Sequence, residues 1–238
     1  FLVLTISALY LGGSYYYADI LYQKGVNLVN IKNDLEGGTV KIKDAVMLNP
    51  YNDLYLRTLA QAALQKVTQE IAKPQSAQRD ANAQNLIATA INIGKRSTDL
   101  APLNVDNWVQ RASIYRSVIG YVSGAEQWAF DAYNEAAKLE PQNPSYYLEL
   151  GRAYVLSADL LAQAAQKDKE ADAKMKDYLV KAEEALKKSI DSKPDYAPAL
   201  FELALVYSRT GQTNEAIANM IKTKNLYPQD IGIAFQLG

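Results

Sequence analysis

The sequence has no cysteine and no histidine. Without cysteine there is no disulfide, no thiolate nucleophile, no iron–sulfur cluster and no Cys-ligated zinc. Without histidine the commonest general acid–base, the commonest metal ligand and the usual pH switch are missing as well. An excess of either charge is also lacking: 25 basic and 26 acidic residues leave a formal net charge of -1. So balanced a chain has no overall field to draw it to phosphate backbones or anionic lipid, and nucleic acid is not an expected partner. Phenylalanine is scarce at 4, while tyrosine reaches 17. Tyrosine covers apolar surface and keeps a polar tip, which suits amphipathic interfaces and wet subunit contacts.

Charge is absent locally, too. The chain does not begin with Met, and from Phe1 to Ala18 there is no charged residue, Asp19 being the first. The sharply apolar part runs from Phe1 to Leu11, and Gly12-Gly13 follows it. At 1.5 Å per residue, 18 helical residues reach about 27 Å and 11 reach about 17 Å. A hydrocarbon core is about 30 Å thick. The segment 1–17 is therefore read either as the end of a spanning helix or as a short apolar helix buried at a subunit interface. Tyr15, Tyr16 and Tyr17 fit a membrane–water belt. A cleaved secretory signal is not expected, because its apolar region would have been removed.

What the chain does have is internal repetition. Between Ala197 and Pro228, Leu200, Leu203, Ala204 and Tyr207 lie on one helix face. Gly211 then supplies a turn where positive φ is cheap. Ala216, Met220 and Thr223 stripe a second helix, and Pro228 closes the unit 34 residues after Pro194. The same register recurs upstream. Tyr147, Leu150, Gly151 and Tyr154 are answered by Ala182, Leu186 and Ser189; Trp108, Ala112 and Tyr115 by Ala129, Tyr133 and Ala136. Leu56, Leu59, Ala60 and Ala63 are answered by Ala90 and Ser97, and Ala45 marks a first unit whose first helix runs about 18–33. The closing prolines are Pro50, Pro102, Pro141, Pro194 and Pro228, spaced by 52, 39, 53 and 34 residues. The two long intervals predict helices lengthened by about two and a half turns each, near 53–98 and 144–191. The chain reversal of the first long hairpin is expected near Pro74-Gln75-Ser76. Long hairpins are where partner contact is expected, since insertions in repeat proteins map to one face.

This pattern resembles the tetratricopeptide repeat family over about residues 18–238. The resemblance implies an all-α fold: a right-handed α-solenoid of antiparallel helix hairpins, about five units plus a partial sixth, preceded by the apolar N-terminal helix. Ile231 to Gly238 begins that sixth unit without its second helix, so either the chain is a fragment or another chain covers this end. Some members of the family bind acidic peptide tails through Lys and Asn on their first helices. Residues 148–152 and 201–205 supply one Arg and neither Lys nor Asn, which argues against that subclass.

No constellation reads as an active site, so the expectation for catalytic, cofactor-binding and metal-ligating residues is none. Gly94-Lys95-Arg96-Ser97 lacks the upstream glycine of a phosphate loop and falls at a helix C-terminus, where basic residues complement the dipole. Glu183 and Glu184 are adjacent and point apart. The mixed run from Lys167 to Lys188 reads as a solvated tip and helix face. Trp108 is expected in the core. Of the neighbours Trp128 and Phe130, part must point away from the hairpin seam as an interface anchor.

The expected function is non-catalytic protein–protein interaction. The leading reading is end-to-end self-association of the solenoid into an extracellular or cell-surface filament, in which neighbouring copies would bury the apolar N-terminal helix and the uncovered C-terminal end. The N-terminal Phe and apolar segment also resemble pilin-like subunits, although Thr5 stands where those carry Glu. The alternative is an extracytoplasmic scaffold of a membrane-anchored bacterial protein, an arrangement that resembles the repeat-bearing C-termini of polytopic proteins of the O-antigen-ligase type. A soluble cytoplasmic adaptor fits the apolar start less well. The candidate interface is Phe1, Leu2, Val3, Leu4, Leu9, Leu11, Tyr15, Tyr16, Tyr17, Trp128, Phe130, Ile231, Ile233, Phe235 and Leu237. The partner expected is a second copy, with membrane contact through the N-terminal segment.

Overall fold

A computed structural model describes residues 2–228, with side chains described from Leu11 onward. Among the described residues the structure is all helix. The elements are α1 (Leu2–Asn30), α2 (Leu35–Leu48), α3 (Asp53–Ile71), α4 (Ala77–Leu100), α5 (Val105–Ser117), α6 (Ala125–Leu139), α7 (Pro144–Ala165), α8 (Lys169–Ser192), α9 (Ala197–Arg209) and α10 (Thr213–Leu226). They form an α-solenoid of helix pairs, as the repeat pattern predicts. The chain divides into two compact units, Phe1–Ile114 and Tyr115–Gly238, with the boundary inside α5.

In the first unit α1 pairs with α2, and α3 with α4. The sequence pattern separates the 1–17 segment from a first repeat helix at about 18–33. The structure instead has one unbroken helix from Leu2 to Asn30. Gly12 and Gly13 cost only about 1 kcal/mol each inside a helix, and no proline intervenes. The α1–α2 turn is made at Asn33, whose φ of 53° is tolerable for Asn, and the Asp34 side chain caps α2 by accepting from the Gly37 N–H at 2.9 Å. The two helices cross where neither has a side chain. A Cβ added to Gly25 would lie 2.9 Å from the Gly38 carbonyl oxygen, and one added to Gly38 would lie 2.8 Å from that of Gly25. Ala18, Leu21, Tyr22, Ile42, Ala45, Val46, Tyr55, Leu56 and Leu59 form the core around that crossing. Tyr22 stacks on Tyr55 with ring centroids 4.6 Å apart. The Tyr55 hydroxyl donates to Asp19 Oδ1. Burial, then the adjacent carboxylate, push that phenol well above its ordinary pKa, so it stays a neutral donor.

The 52-residue proline interval contains α3 and α4, 19 and 24 residues long. Their turn, 72–76, leads to Ser76, which accepts from the Arg79 N–H at 3.1 Å and caps α4. A polar knot closes the other end of this pair. Asn107 is fully buried, and its Nδ2 donates to Asp53 Oδ2 at 3.0 Å, the Ser97 carbonyl at 3.0 Å and the Ala101 carbonyl at 3.1 Å. Its Oδ1 accepts from Arg57 at 3.1 Å. Asn107→Ala would leave these buried partners short of bonds. The expected loss is about 2–3 kcal/mol of stability by urea unfolding; a change within about 0.5 kcal/mol would mean that water replaces the amide.

In the second unit α7 and α8 are the long pair, at 22 and 24 residues, against 13 and 14 for α9 and α10. The small residue at Gly151 faces Leu186, whose Cγ would stand 2.7 Å from an added Cβ. Leu148, Val155, Ala182, Leu186, Ala199, Leu203, Val206, Tyr207 and Ala216 make the core of this stack. Gly120, Gly124 and Gly211 turn the chain with φ of 87°, 79° and 77°, values that an L side chain rarely adopts.

Candidate interaction surfaces

Among the described residues no group of three or more Asp or Glu could hold a metal ion. One cavity of about 140 Å³ in the first unit has Val26, Val29, Ile42 and Ala62 as apolar lining, with Asn30, Thr58, Gln61 and Gln65 completing it. None of these titrates. Another of about 150 Å³ in the second unit lies between Ile119, Leu160, Leu161 and Tyr178, and its charged groups, Lys174 and Glu126, face each other at 3.7 Å.

The first helices of the second unit carry a ladder of alternating charge. Arg116 of α5 meets Glu149 of α7 at 3.0 Å, Glu149 meets Arg152 at 2.8 Å, and Arg152 meets Glu202 of α9 at 2.8 Å. Two arginines and two glutamates cancel. The Arg152 guanidinium, the one basic group noted for acidic-tail binding, is therefore engaged on both sides. Tyr133 is buried beside Arg116, and burial pushes its hydroxyl up to about 12.

At the tip of the α3–α4 pair, Glu70 accepts from Lys73 Nζ and from Asn82 Nδ2 at 3.0 Å. These bonds, Lys73 first, hold its carboxyl below the usual carboxylate range. A depressed carboxylate contributes stability above its unfolded pKa and loses it as pH falls through the folded value. Acidification toward pH 3 should therefore speed amide exchange at 71–77, and unchanged exchange there would mean that the Glu70 bonds do not hold the turn.

The predicted interface residues separate into three groups. Phe1, Ile231, Ile233, Phe235 and Leu237 lie outside the described residues, and Leu2, Val3, Leu4 and Leu9 are on α1 with side chains that are not described. Leu11, Tyr15, Tyr16 and Tyr17 are exposed, Tyr16 at 70 %. The aromatic pair divides. Trp128 is 44 % exposed, beside Tyr115. Phe130 is 2 % exposed, its ring 4.0 Å from that of Tyr154 and 5.6 Å from that of Tyr178. Phe130 is thus a correction: it seats α7 on α6 and is no surface anchor. Trp108 is half-buried, donating from its indole to the Pro102 carbonyl at 2.8 Å.

Two features escaped sequence reading. One is the exposed pair Tyr51 and Leu103, on the α2–α3 and α4–α5 loops. The other concerns α1. On α3, α7 and α9, the residues one before and two after the close-packed small residue are Leu59 and Ala62, Leu150 and Ala153, and Leu203 and Val206, all buried. Leu203 and Val206 pack with Ala182 and Leu186 of α8, and Leu59 with Ile42 and Ala45 of α2. This is the face that a first helix turns to the hairpin before it. The equivalents beside Gly25 are Lys24 and Asn27, both exposed. On α5 the residue before Ala112 is Arg111, half-buried and donating to Thr98 of α4 at 2.8 Å, and the one two after it is the buried Ile114; α1 differs in being polar at both positions.

The tetratricopeptide repeat family model matches residues 185–218, from the end of α8 through α9 into α10. No curated protein matches the chain by sequence. Solved structures similar over nearly the whole chain include TTC0263, a thermophilic TPR protein in Thermus thermophilus, at 18% identity, covering 92% of this chain and 96% of that one with a TM-score of 0.57. MamA is similar at 19% identity, with 93% and 96% covered and a TM-score of 0.61. YrrB, a TPR protein with an unusual peptide-binding site, is similar at 12% identity, with 91% and 89% covered and a TM-score of 0.56. At such identities the likeness is one of fold.

Proposed function

The chain has the tetratricopeptide fold and carries a repeat of that family at 185–218, and on that premise we propose a non-catalytic protein-interaction scaffold held at a membrane by the N-terminal half of α1. One observation carries the membrane part. Ala18 is fully buried against α2 and α3, whereas Leu11, Tyr15, Tyr16 and Tyr17 are exposed, and an added Cβ at Gly12 or Gly13 meets nothing within 4 Å. Helix α1 thus stands clear of its neighbours from Leu11 to Tyr17, and from Leu2 to Tyr17, about 24 Å of helix, its sequence carries no charge. An uncharged helix without packing partners needs an apolar medium. Among the described residues no helix is long and apolar enough to cross a membrane; the tyrosines at 15–17 suit the membrane–water interface, with the uncharged residues before them in the apolar layer.

Protein partners meet the repeats. YrrB suggests a peptide as one class, and the cavity lined by Asn30, Gln61 and Gln65 offers amides of the kind that pair with a main chain.

End-to-end self-association is the second reading, favoured by the exposed Ile217 and Ile221 on α10. Lys24 and Asn27 weigh against it, because both positions that a preceding repeat would cover are polar there, whereas on α3, α7 and α9 both are buried and apolar and on α5 one is. The overhang, moreover, runs along the helix axis, across the direction in which repeats stack. Electron microscopy of the chain with and without mild detergent separates the two. The membrane reading expects irregular clusters in plain buffer and single particles in detergent. Regular filaments that survive detergent would replace it with self-association.

A further inference from the structure

We infer that the α2–α3 and α4–α5 loops are a second membrane contact, setting one edge of the first unit against the lipid headgroups; the inference rests on the membrane reading of α1. Tyr51 is 73 % exposed and Leu103 is 84 % exposed, each raised near the middle of a short loop. Met47 in the last turn of α2 and Leu54 in the first turn of α3 are exposed beside them.

These residues share the edge from which α1 projects. The last packed residue of α1, Ala18, sits in one core with Ala45 and Val46 near the end of α2. Next to it, Asp19 accepts from Tyr55 in the first turn of α3. The point where α1 leaves the fold is therefore level with the α2–α3 loop. The α4–α5 loop is tied to that level by hydrogen bonds. Asn104 Nδ2 donates to Asp53 Oδ2 at 2.7 Å, and Arg96 donates to the Pro50 carbonyl at 3.1 Å. Tyr51 follows Pro50 and Leu103 precedes Asn104, so both apolar tips stand on loops that are held in place. The opposite edge differs: it carries Ile31 among Lys32, Asn33 and Asp34, and the polar turn from Lys73 to Ser76.

The occupant follows from the form of the contact. A protein partner would need a socket for each of two separate tips. A headgroup layer accepts both without one, and the hydroxyl of Tyr51 suits its polarity. The layer is already placed, because the tyrosines at 15–17 ring α1 just beyond this level. Two extra contacts would fix the helices of the first unit near the bilayer normal, where a single anchor leaves them free to swivel.

The chain has no cysteine, so single introduced thiols can report each site. Tyr51→Cys, Leu103→Cys and, on the opposite edge, Gln75→Cys are each labelled with an environment-sensitive nitrobenzoxadiazole and mixed with neutral phosphatidylcholine vesicles. The expected result is a blue shift and brightening at 51 and 103 and none at 75. The double variant Tyr51→Ser/Leu103→Ser should partition about tenfold more weakly. Vesicle binding with silent probes at 51 and 103 would overturn the loop contact while leaving the α1 anchor standing. Equal shifts at all three positions would also overturn it, since the chain would then lie on its side. Shifts that follow protein concentration without vesicles would assign the loops to a protein partner instead. A chain that does not bind vesicles at all would overturn the anchor and the loop contact together.

Discussion

Serine at Leu11, Tyr15, Tyr16 and Tyr17 together should release the chain from neutral phosphatidylcholine vesicles, lowering partition by about a hundredfold or more in a flotation assay. A fully buried large apolar side chain is worth about 1.5–3 kcal/mol relative to exposure. Four that are half-buried in an interface sum to at least about 3 kcal/mol on that scale, and each 1.4 kcal/mol is about tenfold. Tyrosine hydroxyls keep their water at the interface, so little is deducted for them. The same variant should melt where the parent does. All four side chains are exposed and lie on the far side of Ala18, where α1 has left the core. Loss of vesicle binding with an unchanged melting temperature identifies the overhang as an anchor. A lowered melting temperature would mean that these residues pack against the fold, and the anchor assignment would fail.

The second large effect is expected at the α1–α2 crossing. Gly38→Val should destabilise the first unit by about 3 kcal/mol or more. A Cβ at Gly38 stands 2.4 Å from Val29 Cγ2 and 2.8 Å from the Gly25 carbonyl oxygen. The first obstacle is a side chain that could rotate; the second is backbone and cannot. The helices must separate, and Ile42 and Ala45, both fully buried at the crossing, lose their contacts with them. For a unit of this size the midpoint of thermal unfolding should fall by roughly 10–20 °C. Gly12→Ala provides the opposite sign in the same helix pair. Nothing lies within 4 Å of its added Cβ, so it gains about 0.5–1 kcal/mol of helix propensity with no clash. Were both substitutions to destabilise alike, the close crossing would not be what distinguishes the two glycines.

The repeat was legible in the sequence because its signals are local. Leu200, Leu203, Ala204 and Tyr207 share a face by helical period alone, and Gly211 turns the chain wherever it sits. The assignment of Phe130 depended on something further away. Periodicity within α6 fixes the face of Ala129, Tyr133 and Ala136 but says nothing of the next face round. That face is covered by Tyr154, 24 positions later, which only the packed structure brings to within 4.0 Å. The exposed tips at Tyr51 and Leu103 were hidden for a related reason: an apolar residue in a loop reads the same whether it folds inward or not. Lys24 and Asn27 were legible in principle. Their neighbour Gly25 aligns with Ala60, Gly151 and Ala204, and the sequence has two polar residues where α3, α7 and α9 have buried apolar ones.

The apolar start of the chain fits end-to-end growth as well as a membrane; the exposed Leu11, Tyr15, Tyr16 and Tyr17 together with the polar Lys24 and Asn27 favour the membrane. Flotation of the unmodified chain with neutral phosphatidylcholine vesicles, at physiological and at about 1 M salt, tests the membrane anchor most directly. An anchor built from uncharged residues predicts that the chain floats with the vesicles at both salt concentrations, because screening does not weaken apolar burial. A chain that stays in the aqueous fraction at both, or that floats only at low salt, would contradict the account.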